Sequence, residues 1–195
     1  ILVSEVAGRA VIMDKLNKIA PELTKDRPEV GQIIELIKQQ EYLGYQYEAA
    51  EASFELLVMR FLKKYKPFFH IEYYKIIGEK SEETNMLDSA IVKVKVGDKT
   101  EISADEGKGP VNAIDKAIRQ ALSSFYSQLD EVHLVDYKVR VMDSGAATAA
   151  TVRVLIETTD GTDVWTTVGA STDIIEASVE ALVDSLEYKL VKNIK

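Results

Sequence analysis

LVDYKVRVMDSGAATAATVRVLIETTDGTDVWTTVGASTDIIEASVEALVDSLEYKL, running from Leu134 to Leu190, decides the fold because it copies the stretch before it. Ile71, Glu72 and Tyr73 recur 64 positions later as Val135, Asp136 and Tyr137. At the same offset Ala113, Ala117, Ile118 and Leu122 become Ala177, Ala181, Leu182 and Leu186. Val92-Lys93-Val94 reappears as Val152-Arg153-Val154. Internal similarity at a fixed spacing describes architecture before it describes function. Two copies are too few for a solenoid, so the pattern predicts one duplicated domain with a pseudo-twofold. Such a domain offers paired surfaces where a ligand or a second subunit can sit.

Working outward, each copy reads as β-β-β-α. Phe69, Ile71, Tyr73 and Ile77 alternate as a half-buried strand, and Ala90, Val92, Val94 and Val96 form the next inward face. Gly97-Asp98 turns that strand into Lys99–Ala104, which makes a hairpin. Pro110 then opens a helix at its first position, with Val111, Ile114, Ile118, Leu122 and Phe125 toward the sheet. In the second copy Val135, Tyr137, Val139 and Val141 alternate, Val152, Val154 and Ile156 follow, and Asp160-Gly161 turns the hairpin into Val164, Thr166 and Val168. Gly169-Ala-Ser-Thr172 leads into a helix over Asp173–Val191, which Ser171, Thr172 or Asp173 can cap.

The first 65 residues have a different period. Apolar positions in Ser4–Ile19, then Val30, Ile33, Ile34 and Ile37 after Pro28, then Ala50, Phe54, Leu57, Val58 and Phe61 within Glu48–Lys64, predict three amphipathic helices. Pro21 stops the first, Gly44 ends the second, and Lys63, Lys64 and Lys66 suit the C-terminal end of the third. Few large apolar residues serve these helices, so they read as a connector that docks on something else. The expected class is α+β: a helical region, 1–65, followed by the duplicated domain, 66–195, with repeats at about 66–128 and 129–192.

Composition bounds the function. With 195 residues, 46% apolar and 29% charged, the chain can bury a real core. A net charge of −8 argues against general nucleic-acid or anionic-membrane binding. The absence of cysteine rules out disulfides, thiolate nucleophiles and thiolate metal sites. No apolar run approaches the roughly 18 residues of a membrane span. The chain starts at Ile1 without a signal-peptide pattern and is expected to begin inside a longer polypeptide.

Little here carries covalent chemistry. His70 and His133 stand at strand starts without metal-ligand neighbours, and GKGPVNA lacks the context of a dinucleotide fingerprint. Asp105 and Glu106 read as solvated charges, and Tyr42, Tyr45 and Tyr47 as packing. No catalytic residue, cofactor site or metal site is expected in this chain. The better candidate is a small-ligand site at the two helix entrances, flanked by Gly109 and Gly169. A helix N-terminus presents unpaired amides and partial positive charge to a carboxylate. With Tyr137 and Val141 nearby, the combination fits an aliphatic α-amino acid.

The long string quoted above resembles the C-terminal regulatory (dimerisation) domain of the 2-isopropylmalate synthase family, most closely its citramalate synthase branch. GKGPVNAIDKAIRQAL is similar to that family's glycine-proline helix entrance, and VSEVAGRAVIMDKL and GYQYEAAEASFELL resemble its linker subdomains. The resemblance implies a fragment of a cytoplasmic acyltransferase that condenses acetyl-CoA with a 2-oxo acid. The catalytic TIM barrel and its divalent metal would lie outside this chain. It further implies a homodimer that binds the end product of branched-chain amino-acid synthesis, isoleucine in preference to leucine, for feedback inhibition. The alternative is a purely structural dimerisation domain. Carried over motif by motif, the effector-binding positions are Val111, Asn112, Leu134, Tyr137, Val141, Thr148, Ala150, Thr172 and Ile174. Leu134 is out of phase with Tyr137 and Val141 in a regular strand, so it needs either a bend or another direction of contact.

Overall fold

A computed structural model describes residues 2–79, 87–142, 145 and 149–194. Three helices come first: α1 (Leu2–Ile19), α2 (Pro28–Tyr42) and α3 (Glu51–Phe61). Then follow β1 (His70–Ile77), β2 (Asp88–Val96), β3 (Lys99–Gly107) and α4 (Pro110–Ser123). A short 3₁₀ turn, Ser127–Glu131, leads into β4 (His133–Val141), β5 (Val152–Thr159), β6 (Val164–Ser171) and α5 (Ile174–Lys192). The strands form two antiparallel sheets, ordered β1-β2-β3 and β4-β5-β6. The class is α+β with the β-β-β-α plan used twice.

Strand pairing shows how the copies correspond. Val92 pairs with Ser103, and 64 residues on Ile156 pairs with Thr167; Val94–Glu101 likewise becomes Thr158–Trp165. The 64-residue offset therefore holds for the hairpins and for α4 and α5. It corrects the match of Val92-Lys93-Val94 to Val152-Arg153-Val154, since the residue of the second copy equivalent to Val92 is Ile156. The first strands differ again: Tyr74 faces Val92 and Tyr137 faces Ile156, so Tyr74, not Tyr73, corresponds to Tyr137.

That slip arises between the first and second strands of each copy, where 18 positions separate Tyr74 from Val92 and 19 separate Tyr137 from Ile156. The register shifts between Ile71 and Tyr73 and between Leu134 and Asp136, inserting one extra residue in each strand. An extra residue exchanges inside for outside beyond it. Tyr73 and Ile77, expected inward, are therefore exposed, while Tyr74 and Ile76 pack on the core. The same device brings Leu134, opposite Thr158, onto the face of Tyr137, opposite Ile156. Of the two solutions open to Leu134, the strand takes the bend, as this bulge.

Both sheets, α4 and α5 share one core, in which Val92, Ile114, Ile118 and Leu122 meet Val154, Ile156, Leu182 and Leu186. α5 lies so close to β6 that a Cβ on Gly169 would stand 1.9 Å from the Ala177 carbonyl oxygen. Gly169 is thus a contact inside the strand and not a helix entrance. Thr167 Oγ1 donates to Ala181 O at 2.7 Å, and Trp165 Nε1 donates to Ser185 O at 3.1 Å.

The first three helices pack around Met13, Leu16, Val30, Ile33, Phe54 and Val58, and this cluster also takes in Val168 of β6. α3 is shorter than the expected Glu48–Lys64: it begins at Glu51, after a turn in which Tyr45 and Tyr47 stack at 6.0 Å, and ends at Phe61, ahead of Lys63 with its positive φ. Arg153 fastens that turn to the outer face of the second sheet: its Nε donates to Gly44 O and its Nη1 to Gln46 Oε1. Among the described residues no helix is long and apolar enough to cross a membrane.

Candidate functional site

The two helix entrances, alike in sequence, differ in structure. α5 is capped by its own carboxylate: Asp173 Oδ1 accepts from Ile175 N at 2.8 Å and from Glu176 N at 3.4 Å. α4 has Gly109 at the N-cap position and Pro110 next, with no side-chain cap. The Asn112 side chain turns back to accept from Lys108 N at 3.2 Å. The first-turn amides of Val111 and Asn112 have no intrahelical carbonyl to bond. Of these two entrances, that of α4 is the uncapped one.

A cavity of about 720 Å³ opens beside that end. One wall is the α4 face bearing Val111, Asn112, Asp115, Lys116 and Arg119, and the other is His133, Leu134 and Tyr137 of β4. Its volume is in the range of small-molecule pockets. Tyr137 is held from behind, its hydroxyl 2.7 Å from Ser178 Oγ on α5. Because Ser178 donates to Ile174 O at 2.6 Å, the tyrosine is the donor. Leu134 and Val111 lean on the core and give the cavity an apolar floor.

The charged side of the cavity escaped the sequence reading. Arg119 Nε donates to Asp115 Oδ1 at 2.8 Å and Nη1 donates to Val132 O at 2.7 Å. Burial raises the Asp115 carboxyl above its ordinary range, against the pull of Arg119. The only local sign was an acid four residues before an arginine, which on most helices marks a solvated face. Among the described residues, no group of three or more His, Asp or Glu is placed to hold a metal ion.

Of the carried-over positions, Val111, Asn112, Leu134 and Tyr137 line this cavity. Val141 continues the Tyr137 face of β4 but lies beyond the lining, 51% exposed. With Val139 and Tyr137 on the same face of β4 it forms an apolar strip that α5 leaves partly uncovered. Ala150 is buried at the approach to β5, and Thr172 and Ile174 are exposed at the capped end of α5. Thr148 and most of the Asp143–Ala149 loop lie outside the described residues.

Comparison with known proteins adds the family. Residues 48–190 match the LeuA allosteric (dimerisation) domain. Over 194 residues, 99% of this chain, it is 47% identical to an (R)-citramalate synthase of Geobacter sulfurreducens. It is 44% identical over the same length to one of Aquifex aeolicus, and 28% identical over 196 residues to a 2-isopropylmalate synthase of Aquifex aeolicus. The chain spans only 37% of each of those two citramalate synthases and 34% of the isopropylmalate synthase.

Proposed function

The chain belongs to the LeuA allosteric (dimerisation) domain family, and from that premise we propose that it is the effector-binding and self-associating part of a citramalate synthase-like enzyme. The effector is a branched-chain α-amino acid, isoleucine before leucine, and its binding lowers the activity of a catalytic domain elsewhere in the polypeptide. That domain condenses acetyl-CoA with a 2-oxo acid, using its own divalent metal.

One observation supports the reading most: the cavity joins an uncapped helix N-terminus to an apolar floor beside a charged pair. The α4 amides attract a carboxylate, Asp115 lies on the same wall for an ammonium, and Val111, Leu134 and Tyr137 offer surface to an aliphatic side chain. Calorimetric titration of the chain with isoleucine, leucine and alanine tests it. The expected result is saturable binding of isoleucine, weaker binding of leucine and none of alanine. Silence with all three sinks the effector reading. The apolar strip on β4 would then favour self-association as the domain's whole role.

A further inference from the structure

α5 carries carboxylates at Glu180, Asp184 and Glu187, a spacing that places them along one helix face. Each is bonded to the helical segment or to the strand start that follows it. Glu180 Oε2 accepts from Tyr45 OH at 2.7 Å and from Ala170 N at 3.1 Å. Asp184 Oδ1 pairs with Arg60 Nη2 at 2.7 Å, while its Oδ2 accepts from Ser53 Oγ at 2.7 Å. Ser53 Oγ in turn accepts from Val168 N at 3.0 Å. Glu187 Oε1 accepts from Phe68 N at 2.9 Å.

Part of this arrangement satisfies two outward amides of the edge strand β6, Ala170 N through Glu180 and Val168 N through Ser53, a usual structural task. It also does more. Tyr45, Ser53, Arg60 and Phe68 span the turn before α3, both ends of α3 and the passage into β1, so one helix face grips the whole stretch 45–68. The same helix, one to two turns earlier, supports the cavity wall through Ser178 and Tyr137. Ser178 and Asp184 are six residues apart, about 9 Å along a helix axis. A helix moves over that length as a rigid body. A cleft of about 730 Å³ between 45–74 and α5, bordered by Tyr45, Arg60, Tyr74 and Asp184, gives the grip room to change.

We propose that Glu180, Asp184 and Glu187 form a clamp through which effector occupancy beside Tyr137 is relayed along α5 to the helical segment 45–69. Asp184, with its two partners on α3, is the chief positioning residue. The inference rests on the effector reading above. Coupling of this kind is reciprocal: if the ligand biases the clamp, weakening the clamp must change the affinity for the ligand. A side chain that only stabilises the fold makes no such demand, because Asp184 does not line the effector cavity.

The test uses Asp184→Asn, which removes the charge at Arg60, and Tyr45→Phe, which removes only the bond to Glu180. Asp14→Asn, on the exposed Lys18 pair, is the control. Isoleucine affinity is measured by calorimetry, and amide hydrogen exchange over residues 45–69 is followed with and without isoleucine. The expected result is a change of protection in 45–69 on adding isoleucine to the parent chain. Affinity should shift by at least about threefold in the same direction for both clamp variants, a modest value for coupled sites, and stay put for the control. Because Tyr45→Phe leaves every other bond in place, a folding failure of Asp184→Asn still leaves a decisive variant. Affinities within about twofold of the parent, or unchanged exchange in 45–69 at saturating isoleucine, overturn the clamp. A parent chain that binds neither isoleucine nor leucine overturns the effector reading, and the relay with it.

Discussion

Lys189 near the end of α5 reaches back to Asp160 in the β5–β6 turn, Nζ to Oδ2 at 2.8 Å, with side chains only 8% and 7% exposed. Asp160 also organises the turn, its Oδ1 accepting from Thr162 N and Asp163 N. The Lys189 ammonium, helped by those amides, holds the Asp160 carboxyl well below the usual carboxylate range. Asp160→Asn keeps the turn bonds and removes the charge, so it should cost about 1.5–3 kcal/mol, the scale of a charged hydrogen bond. A lowered folded pKa places this contribution above the unfolded pKa of about 4, and it fades as pH falls from there. Thermal melts from pH 7 down to 3 should show parent and variant converging in acid; a constant gap would refute the pairing.

Glu187 behaves in the opposite sense. It is 1% exposed, and burial pushes its carboxyl from 4.5 up to about 7 despite two backbone amide donors at Phe68 and Phe69. Between those values the folded chain holds a proton that the unfolded chain has released, so stability falls as pH rises across the window. Glu187→Gln keeps an acceptor for Phe68 N and removes the titration. Relative to the parent, it should gain about 1–3 kcal/mol between pH 5 and pH 8. Parallel stability curves across that range would contradict this.

Gly169→Ala should cost at least about 2 kcal/mol by overpacking. Its methyl meets the Ala177 backbone, which cannot rotate away as a side chain can. Gly97 has open space around its Cβ position but a φ of 58°. Gly97→Ala should therefore cost only about 1 kcal/mol, the order of left-handed strain. Denaturant midpoints of the two variants should rank in that order.

Val141→Phe separates surface from pocket on one protein. At half exposure Val141 contributes little to folding, so the melting transition should stay within about 0.5 kcal/mol of the parent. If the β4 face receives the effector's side chain, the added ring should weaken isoleucine binding by roughly one to two decades. A large loss of stability with unchanged affinity would remove Val141 from the site.

Tyr137, Val139 and Val141 form a strip on one face of the edge strand β4, and a contiguous exposed apolar surface marks an interaction site. In a twofold dimer each chain presents the same strip, so one substitution acts twice. Val139→Lys should shift the chain from dimer to monomer in sedimentation equilibrium at tens of micromolar, an order-of-magnitude choice for a standard-sized interface. A parent that is already monomeric there would refute the assembly.

Local chemistry made much of this fold legible. Pro28 and Pro110 stand at helix starts, Asp173 caps α5, and Gly97 and Gly161 take positive φ at the two hairpin turns. Phase was harder. A Val-X-Val pattern maps onto itself under any even shift, so the duplicated valines fitted 60 as well as 64, and only strand pairing distinguishes the two. The extra residues near Glu72 and Val135 carry no local mark, because a bulge is set by the partner strand. Long-range polar contacts were invisible for a related reason: Arg119, Arg153 and Asp184 look like solvated charges until a second element closes over them. In the candidate site, the helix entrance and the β4 residues could be read in the sequence, whereas the Asp115–Arg119 wall could not.

The cap at Asp173 has a consequence for the symmetry of the duplicated domain. Tethered two and three residues from the amides it bonds, that carboxylate sits at an effective concentration on the order of millimolar or more. A dissolved amino acid reaching the α5 end would face a resident competitor that cannot diffuse away. Gly109, the corresponding position of the first half, presents no such rival. On the effector reading, the duplication leaves one helix entrance open and one closed on itself, and the ratio expected at saturation is a single effector per chain.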